Sequence, residues 1–239
     1  ASREEDVLDI KTNTIFIATR HDSHGSYVIK GLRSDKNIFV EKPLCLNQEE
    51  LEEIKEEQAR SGKAVMMGVN RRFAPFSITV KNKLGDGPMT MIYRVNAGAI
   101  SKDTWIQDME IGGGRIIGEA CHFIDYLTFI NGSKPVKLSA NALPDPQGLN
   151  DTVNILIQFE NGSTGVVAYY ANGAKELPKE HIEIFSSGTT AVINDFKELK
   201  IYGKGKPSKK KLLNQNKGQK EMVENFMNHL LKDGSSPIP

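Results

Sequence analysis

Glu41-Lys42-Pro43 follows a short apolar run, Asn37-Ile38-Phe39-Val40, and is the segment of this chain best suited to chemistry. At the carboxyl end of a strand in an open α/β sheet, where ligand crevices form, a lysine can aim its ammonium at a substrate oxygen. The proline after it stiffens the turn that aims it. A second set lies near mid-chain, where Glu119, His122 and Asp125 step by three, so that on a helix neighbours in the series can touch. Histidine titrates in the range a general base needs. Glu119-x-x-His122 also has the spacing of a carboxylate–histidine metal motif, but a di-metal site needs a second such pair, so no metal is expected. Arg71 and Arg72 carry forked donors that could grip a carboxylate or phosphate, or form an interdomain ion pair.

The elements that must position these residues are legible in the pattern of apolar side chains. Thr14-Ile-Phe-Ile-Ala-Thr19 is a continuous β-branched run, as expected for a strand covered on both faces. Tyr27, Val28 and Leu32 can line one side of a helix ending near Ser34-Asp35. After the Phe39-Val40 strand, Asn47 opens a charged helix with Glu50 three residues on, the spacing of a capping box. Leu51 and Ile54 give it a buried stripe, Gly62 ends it, and residues 64–69 form another buried strand. Strand–helix–strand–helix–strand argues a parallel sheet.

Beyond Asn70 the texture changes. Residues 73–84 read as a helix, 89–97 as an alternating strand carrying Arg94, and 115–130 as a helix. Strands then dominate at about 136–142, 151–159, 163–170, 180–186, 189–193 and 198–202, with Glu160-Asn161-Gly162-Ser163 as a hairpin signal. Successive strands without intervening helices argue an antiparallel sheet. A last helix over about 217–232 carries Met222, Phe226 and Leu230 on one side. The five lysines between Lys204 and Lys211 sit in a Gly/Pro/Ser-rich stretch without aromatics, and read as a solvated loop rather than a nucleic-acid patch.

Composition narrows the classes. The chain has 239 residues, 26% of them charged, with net charge +1, so it offers no broad field for nucleic acid or an acidic membrane. Cys45 and Cys121 are too few for a disulfide framework and read as free thiols. With no apolar run of roughly 20 residues and no signal segment at the start, a cytoplasmic protein is expected.

The order Asn13–Arg20, His24, Glu41-Lys42-Pro43, Asn70-Arg71-Arg72-Phe73, Gly112-Gly113-Gly114 and His122 resembles the glucose-fructose oxidoreductase / inositol dehydrogenase / MocA (Gfo/Idh/MocA) family of nicotinamide-dependent sugar oxidoreductases. The resemblance implies NAD or NADP as cofactor and hydride transfer at a secondary hydroxyl of a sugar, cyclitol or nucleotide-sugar. It implies that Lys42 contacts the reacting hydroxyl and that His122 takes its proton. Thr19, Arg20, His24, Glu41, Lys42 and Pro43 would meet the cofactor, with Arg20 standing where proline is common. His24 could instead serve its own helix start. Pro43 would follow a cis peptide, as in relatives. Arg71, Arg72, Arg94 and Trp105 would face substrate, the tryptophan flanking a sugar ring or merely packing.

Two departures stand out. Many relatives carry an aspartate four residues before this histidine, and here that position is Gly118, with Glu119 beside it as a replacement pointing about 100° away on a helix. The chain also has no G-x-G-x-x-G, and its first strand resembles a later strand of the family, so roughly two strand–helix units, on the order of 60 residues, are read as missing. The glycines at 112–114 do not follow a buried strand and are not read as a phosphate loop. A terminal helix expected after Ser235-Ser236-Pro237 also does not follow.

The reading is therefore an α/β protein: residues 1–70 as the C-terminal part of a Rossmann-like dinucleotide-binding domain, and 71–239 as an α+β substrate and oligomerisation domain on a largely antiparallel sheet. A small sugar-like substrate, no nucleic acid, no membrane and a homo-oligomer are expected. This chain alone is expected to be inactive and to depend on a partner copy for stability. A non-catalytic sugar-binding or regulatory protein is the alternative.

Overall fold

The computed structural model describes residues 7–85, 87–145 and 148–238. In chain order the elements are β1 (Thr14–Ile17), α1 (His24–Arg33), β2 (Asn37–Val40), α2 (Gln48–Ser61), β3 (Val65–Met67), α3 (Pro75–Leu84), β4 (Thr90–Asn96) and α4 (Cys121–Asn131). There follow β5 (Pro135–Ala142), β6 (Val153–Phe159), β7 (Thr164–Tyr170), β8 (Glu180–Ser186), β9 (Thr189–Asn194), β10 (Glu198–Tyr202), β11 (Ser208–Lys211) and α5 (Gln219–Lys232). Among the described residues no helix is long and apolar enough to cross a membrane. The chain divides into two compact units, the first made of 1–69, 105–121 and 220–239, the second of 70–104 and 122–219.

The first unit is built on a parallel sheet in the order β1-β2-β3, with Ile15 opposite Ile38 and Ile38 opposite Val65. Ile15, Ile17, Ile38 and Val40 meet Val28 and Leu32 of α1 and Ile54 of α2 in one apolar cluster. Gly31 lets α1 approach closely, because a Cβ there would lie 2.5 Å from Ile38 Cδ1 and 2.8 Å from Ile15 Cδ1. Asn47 caps α2 as its spacing predicts, accepting the Glu50 amide at 2.8 Å, while the Glu50 carboxylate reaches the Leu46 amide at 3.3 Å. Phe226 of α5 packs on Phe16 and Phe39 with ring centroids 6.0 and 5.7 Å apart, which is why that helix belongs to this unit.

The second unit is an eight-stranded sheet in the order β11-β10-β9-β8-β4-β7-β6-β5. Every pairing is antiparallel except β4 with β7. Burial alternates strictly along β6, the mark of a sheet covered on one face. The covered face holds Tyr93, Phe123, Tyr126 and Tyr169, with ring centroids 4.8–6.1 Å apart.

Two elements differ from expectation. The lysine-rich stretch is solvent-exposed, and its first half is the expected loop, yet Ser208–Lys211 form the edge strand β11. It pairs with β10, and Glu198 on β10 receives Lys209 and Lys211 at 3.1 and 3.2 Å, offsetting the repulsion that would otherwise oppose a strand of lysines. The helix predicted over 115–130 has two parts, a π-helical segment Ile116–Ala120 running into α4. Such segments are frequent at functional sites.

Candidate active site

Lys42 leaves β2 two residues beyond its end. The Glu41 amide extends the ladder to Ile17 O at 2.8 Å, and the Lys42–Pro43 peptide is cis. His24, fully buried at the start of α1, holds the turn from beneath: its Nδ1 lies 2.7 Å from Pro43 O and its Nε2 3.1 Å from Thr19 O. Both ring nitrogens are thus taken up in joining the loop after β1 to the loop after β2. The Lys42 Nζ donates to Gly118 O at 2.7 Å. An ammonium carries three N–H groups, and this is its one hydrogen bond to the described residues, so two donors are left for another acceptor. The Glu41 carboxylate lies over Gly68, where a Cβ would come within 3.0 Å of Oε2.

His21 completes this end of the first unit and was not singled out in the sequence. It opens a single 3-10 turn and is buried, donating from Nδ1 to Gly112 O at 2.8 Å. Its ring meets the edge of Trp105 at 4.8 Å, and the Arg20 guanidinium lies over the same indole at 5.8 Å. Burial pushes its pKa below the ordinary histidine value, against the Gly112 hydrogen bond and with the help of the nearby Lys42 charge. A Cβ at Gly118 would stand 2.9 Å from His21 Cε1, so glycine is what allows the ring in. The signal available in the sequence is His21-x-x-His24, two histidines three apart at the end of a buried strand.

The remaining predicted residues of this unit have local partners. Thr19 Oγ1 is 2.7 Å from Ser23 Oγ. Glu119 lies in the π-helical segment, 3.7 Å from Arg115, so the 100° offset from Gly118 assumed for an α-helix does not hold there. The Gly112 and Gly113 amides donate to Asp108 O at 2.8 and 3.0 Å, closing their own loop.

In the second unit His122 is buried near the start of α4, its ring 6.3 Å from that of Phe123. Asp125 forms a two-point ion pair with Arg72, whose Nε donates to it at 3.0 Å. Burial raises the Asp125 pKa and Arg72 opposes it. Arg71 is buried and gives two hydrogen bonds of 2.9 Å to Glu180, which also receives Lys217 at 2.5 Å and the Tyr93 hydroxyl. Arg94 donates to Pro178 O at 2.9 Å. Two surface clefts of this unit, of about 400 and 310 Å³, have none of the predicted residues in their walls. No group of three or more metal-ligating side chains occurs among the described residues.

The dinucleotide that the sequence resemblance implies can be tested against these groups. The exposed Thr19 and Arg20 and the unspent donors of Lys42 suit the nicotinamide end. The 239 residues contain no G-x-G-x-x-G turn for the pyrophosphate, so the fit extends to the nicotinamide end alone.

Comparison with known proteins places both units. Residues 3–69 match the family model described as "Oxidoreductase family, NAD-binding Rossmann fold", and residues 83–192 match "GFO/IDH/MocA C-terminal domain". Among curated relatives, the trans-1,2-dihydrobenzene-1,2-diol dehydrogenase of Danio rerio is 24% identical over 195 residues, covering 80% of this chain and 58% of its own length. The chain spans about half to two thirds of the length of such relatives. Among solved structures, a UDP-N-acetylglucosamine 3-dehydrogenase from Acidithiobacillus ferrooxidans superposes with a TM-score of 0.83 at 16% identity, over 97% of this chain and 73% of that one. An aldose-aldose oxidoreductase from Caulobacter crescentus, complexed with glycerol, gives 0.80 at 16% identity, over 98% and 73%. These likenesses establish the fold.

Proposed function

Because the chain belongs to the Gfo/Idh/MocA oxidoreductase family, we propose that the protein it represents transfers hydride between a nicotinamide cofactor and a secondary hydroxyl of a sugar-like or diol substrate. The relatives bear the names of dehydrogenases of a diol and a nucleotide-sugar and of an aldose oxidoreductase, which is what supports that substrate class. NAD or NADP supplies the hydride acceptor when bound. The work of this chain is then orientation and proton handling.

The observation that carries the reading is the half-buried Lys42 at the carboxyl end of a parallel sheet, with one N–H on Gly118 O and two left to give. Those donors would bind the substrate oxygen and stabilise the negative charge it acquires as hydride departs. His122 is the proposed acceptor of the hydroxyl proton, with Glu119 a further candidate in place of the absent aspartate. Thr19, Arg20, Glu41 and Pro43 would border the nicotinamide end of the cofactor, and Trp105 the substrate beside it. Arg94 remains a proposed substrate contact. The ion pairs of Arg71 with Glu180 and of Arg72 with Asp125 support a role in holding their own unit rather than substrate.

The test is Lys42→Met in the full-length gene product. Loss of a positioned proton-handling group predicts a fall in kcat of about 100- to 10,000-fold, with nicotinamide nucleotide affinity nearly unchanged. Retained turnover would refute the role of Lys42. Sugar binding without any nicotinamide-linked turnover in the wild type would instead favour a binding or regulatory protein. A homo-oligomer formed through the sheet is proposed as well, supported by exposed Val136, Leu138 and Leu156 on β5 and β6, with light scattering as its measurement. A cytoplasmic location is proposed from the two free thiols.

A further inference from the structure

His21 is the one buried imidazole at the Lys42 end of the first unit with a ring nitrogen uncommitted. Nδ1 must be its donor, because Gly112 O, 2.8 Å away, can only accept. The neutral ring is thereby fixed in the tautomer that leaves the Nε2 lone pair available, and the Gly112 bond is the ring's one hydrogen bond to the described residues. The ring is held on three sides, by Gly112 O, by the edge of Trp105 at 4.8 Å and by the bare backbone of Gly118. That same glycine's carbonyl carries the Lys42 ammonium at 2.7 Å, so one backbone residue registers both groups.

We infer that His21 is a proton-exchanging and positioning partner of Lys42, its Nε2 taking a proton from the lysine as the lysine takes the one leaving the substrate hydroxyl, a route that stands in place of direct transfer to His122. This rests on the hydride-transfer reading above. With a nicotinamide bound to take the hydride, the Lys42 ammonium would give one N–H proton to Nε2 through a bridging water, the substrate O–H proton would fill the place left on the lysine nitrogen, and the imidazolium would release its proton to solvent. The charges facing His21 fit such a role: Lys42 and His24 favour the neutral, proton-accepting ring, and Asp22 opposes them weakly. Arg20 lies beyond the indole.

Two measurements separate this inference from the reading it rests on. In this chain the His21 Cε1–H resonance is followed through a pH titration, in the wild type and in Lys42→Met. Coupling predicts a wild-type midpoint below that of an exposed histidine and an upward move when the ammonium is removed. An unmoved midpoint would overturn the pairing. In the full-length gene product His21→Asn retains an amide donor for Gly112 O but has no proton-accepting nitrogen, and kcat/KM is followed against pH. The expected result is a loss of at least about tenfold at neutral pH, part of the range for a positioned acid or base, with the acidic limb displaced and nucleotide affinity retained. If Lys42→Met is inactive while His21→Asn keeps the wild-type profile, the role of His21 fails and the hydride-transfer reading stands. If Lys42→Met stays active, the reading itself fails.

Discussion

Replacing Glu180 by glutamine should destabilise the second unit by an amount that shrinks in acid. Glu180 is 1% exposed and accepts from Arg71, Lys217 and Tyr93, a carboxylate answering two cations. Burial alone would raise its pKa, but Arg71 and then Lys217 outweigh that and hold it at about 2, against 4.5 for a free glutamate. A difference of that size corresponds to about 3 kcal/mol of folding stability at neutral pH. The folded pKa is the depressed one, so this stability is fully present above pH 4.5 and is lost as pH falls from there toward 2. Glutamine leaves Arg71 and Lys217 without a counter-charge, for which breaking a buried pair suggests a loss of roughly 3–5 kcal/mol at pH 7. Urea unfolding followed by far-UV circular dichroism is the assay, since Trp105 belongs to the other unit and its emission would report on that. The gap between wild type and Glu180→Gln should narrow by about 2 kcal/mol between pH 7 and pH 3, where the folded carboxylate is still largely ionised. Adding Arg71→Met should restore part of the loss, because the more deeply buried cation is then gone. A gap under about 1 kcal/mol at pH 7, or one unchanged at pH 3, would refute the reasoning.

Two glycines make a contrasting pair. Gly218→Ala places a Cβ 2.5 Å from Ala74 N and 2.6 Å from Asn70 O at a φ of +84°, where backbone cannot yield, so a loss above about 2 kcal/mol is expected in the same urea assay. Gly118→Ala meets the His21 ring at 2.9 Å, and a ring can be displaced. The expected cost is only about 1–2 kcal/mol, with a clear shift of the His21 Cε1–H resonance that an unobstructed site would not give.

What could be read from the sequence follows the range of the forces concerned. Strands 180–186 and 198–202 were placed to the residue because alternation and β-branching are local properties. So was the Asn47 cap, whose partner is three residues away. The strand β11 was hidden because its lysines are disfavoured until Glu198 faces them, and that pairing is made across the sheet. The π-helical segment was hidden because no residue type encodes the widened turn. The partner of Arg71 lies 109 positions away, and nothing near Arg71 announces it. His21 was overlooked for a similar reason: what makes it interesting is Gly112, Trp105 and Gly118, all brought to it by the fold.

The strongest guide to the site is therefore how many of a cation's donors the fold has already used. Lys36 and Lys42 flank the same short strand, and both are withdrawn from solvent. Lys36 gives two N–H groups at 2.8 Å to the carbonyls of Ile10 and Thr12, so its charge holds the chain entering β1. Arg71 and Arg72 each meet a carboxylate with two donors, and Asp125 and Glu180 accept them at two points. Such groups are costly to disturb and have little left for a ligand. Lys42 has one acceptor, a neutral carbonyl that returns little of the hydration an ammonium gives up on leaving water. A structural lysine would be expected to acquire more partners. One held at a strand end with two donors unspent retains the capacity to stabilise charge that develops on something else.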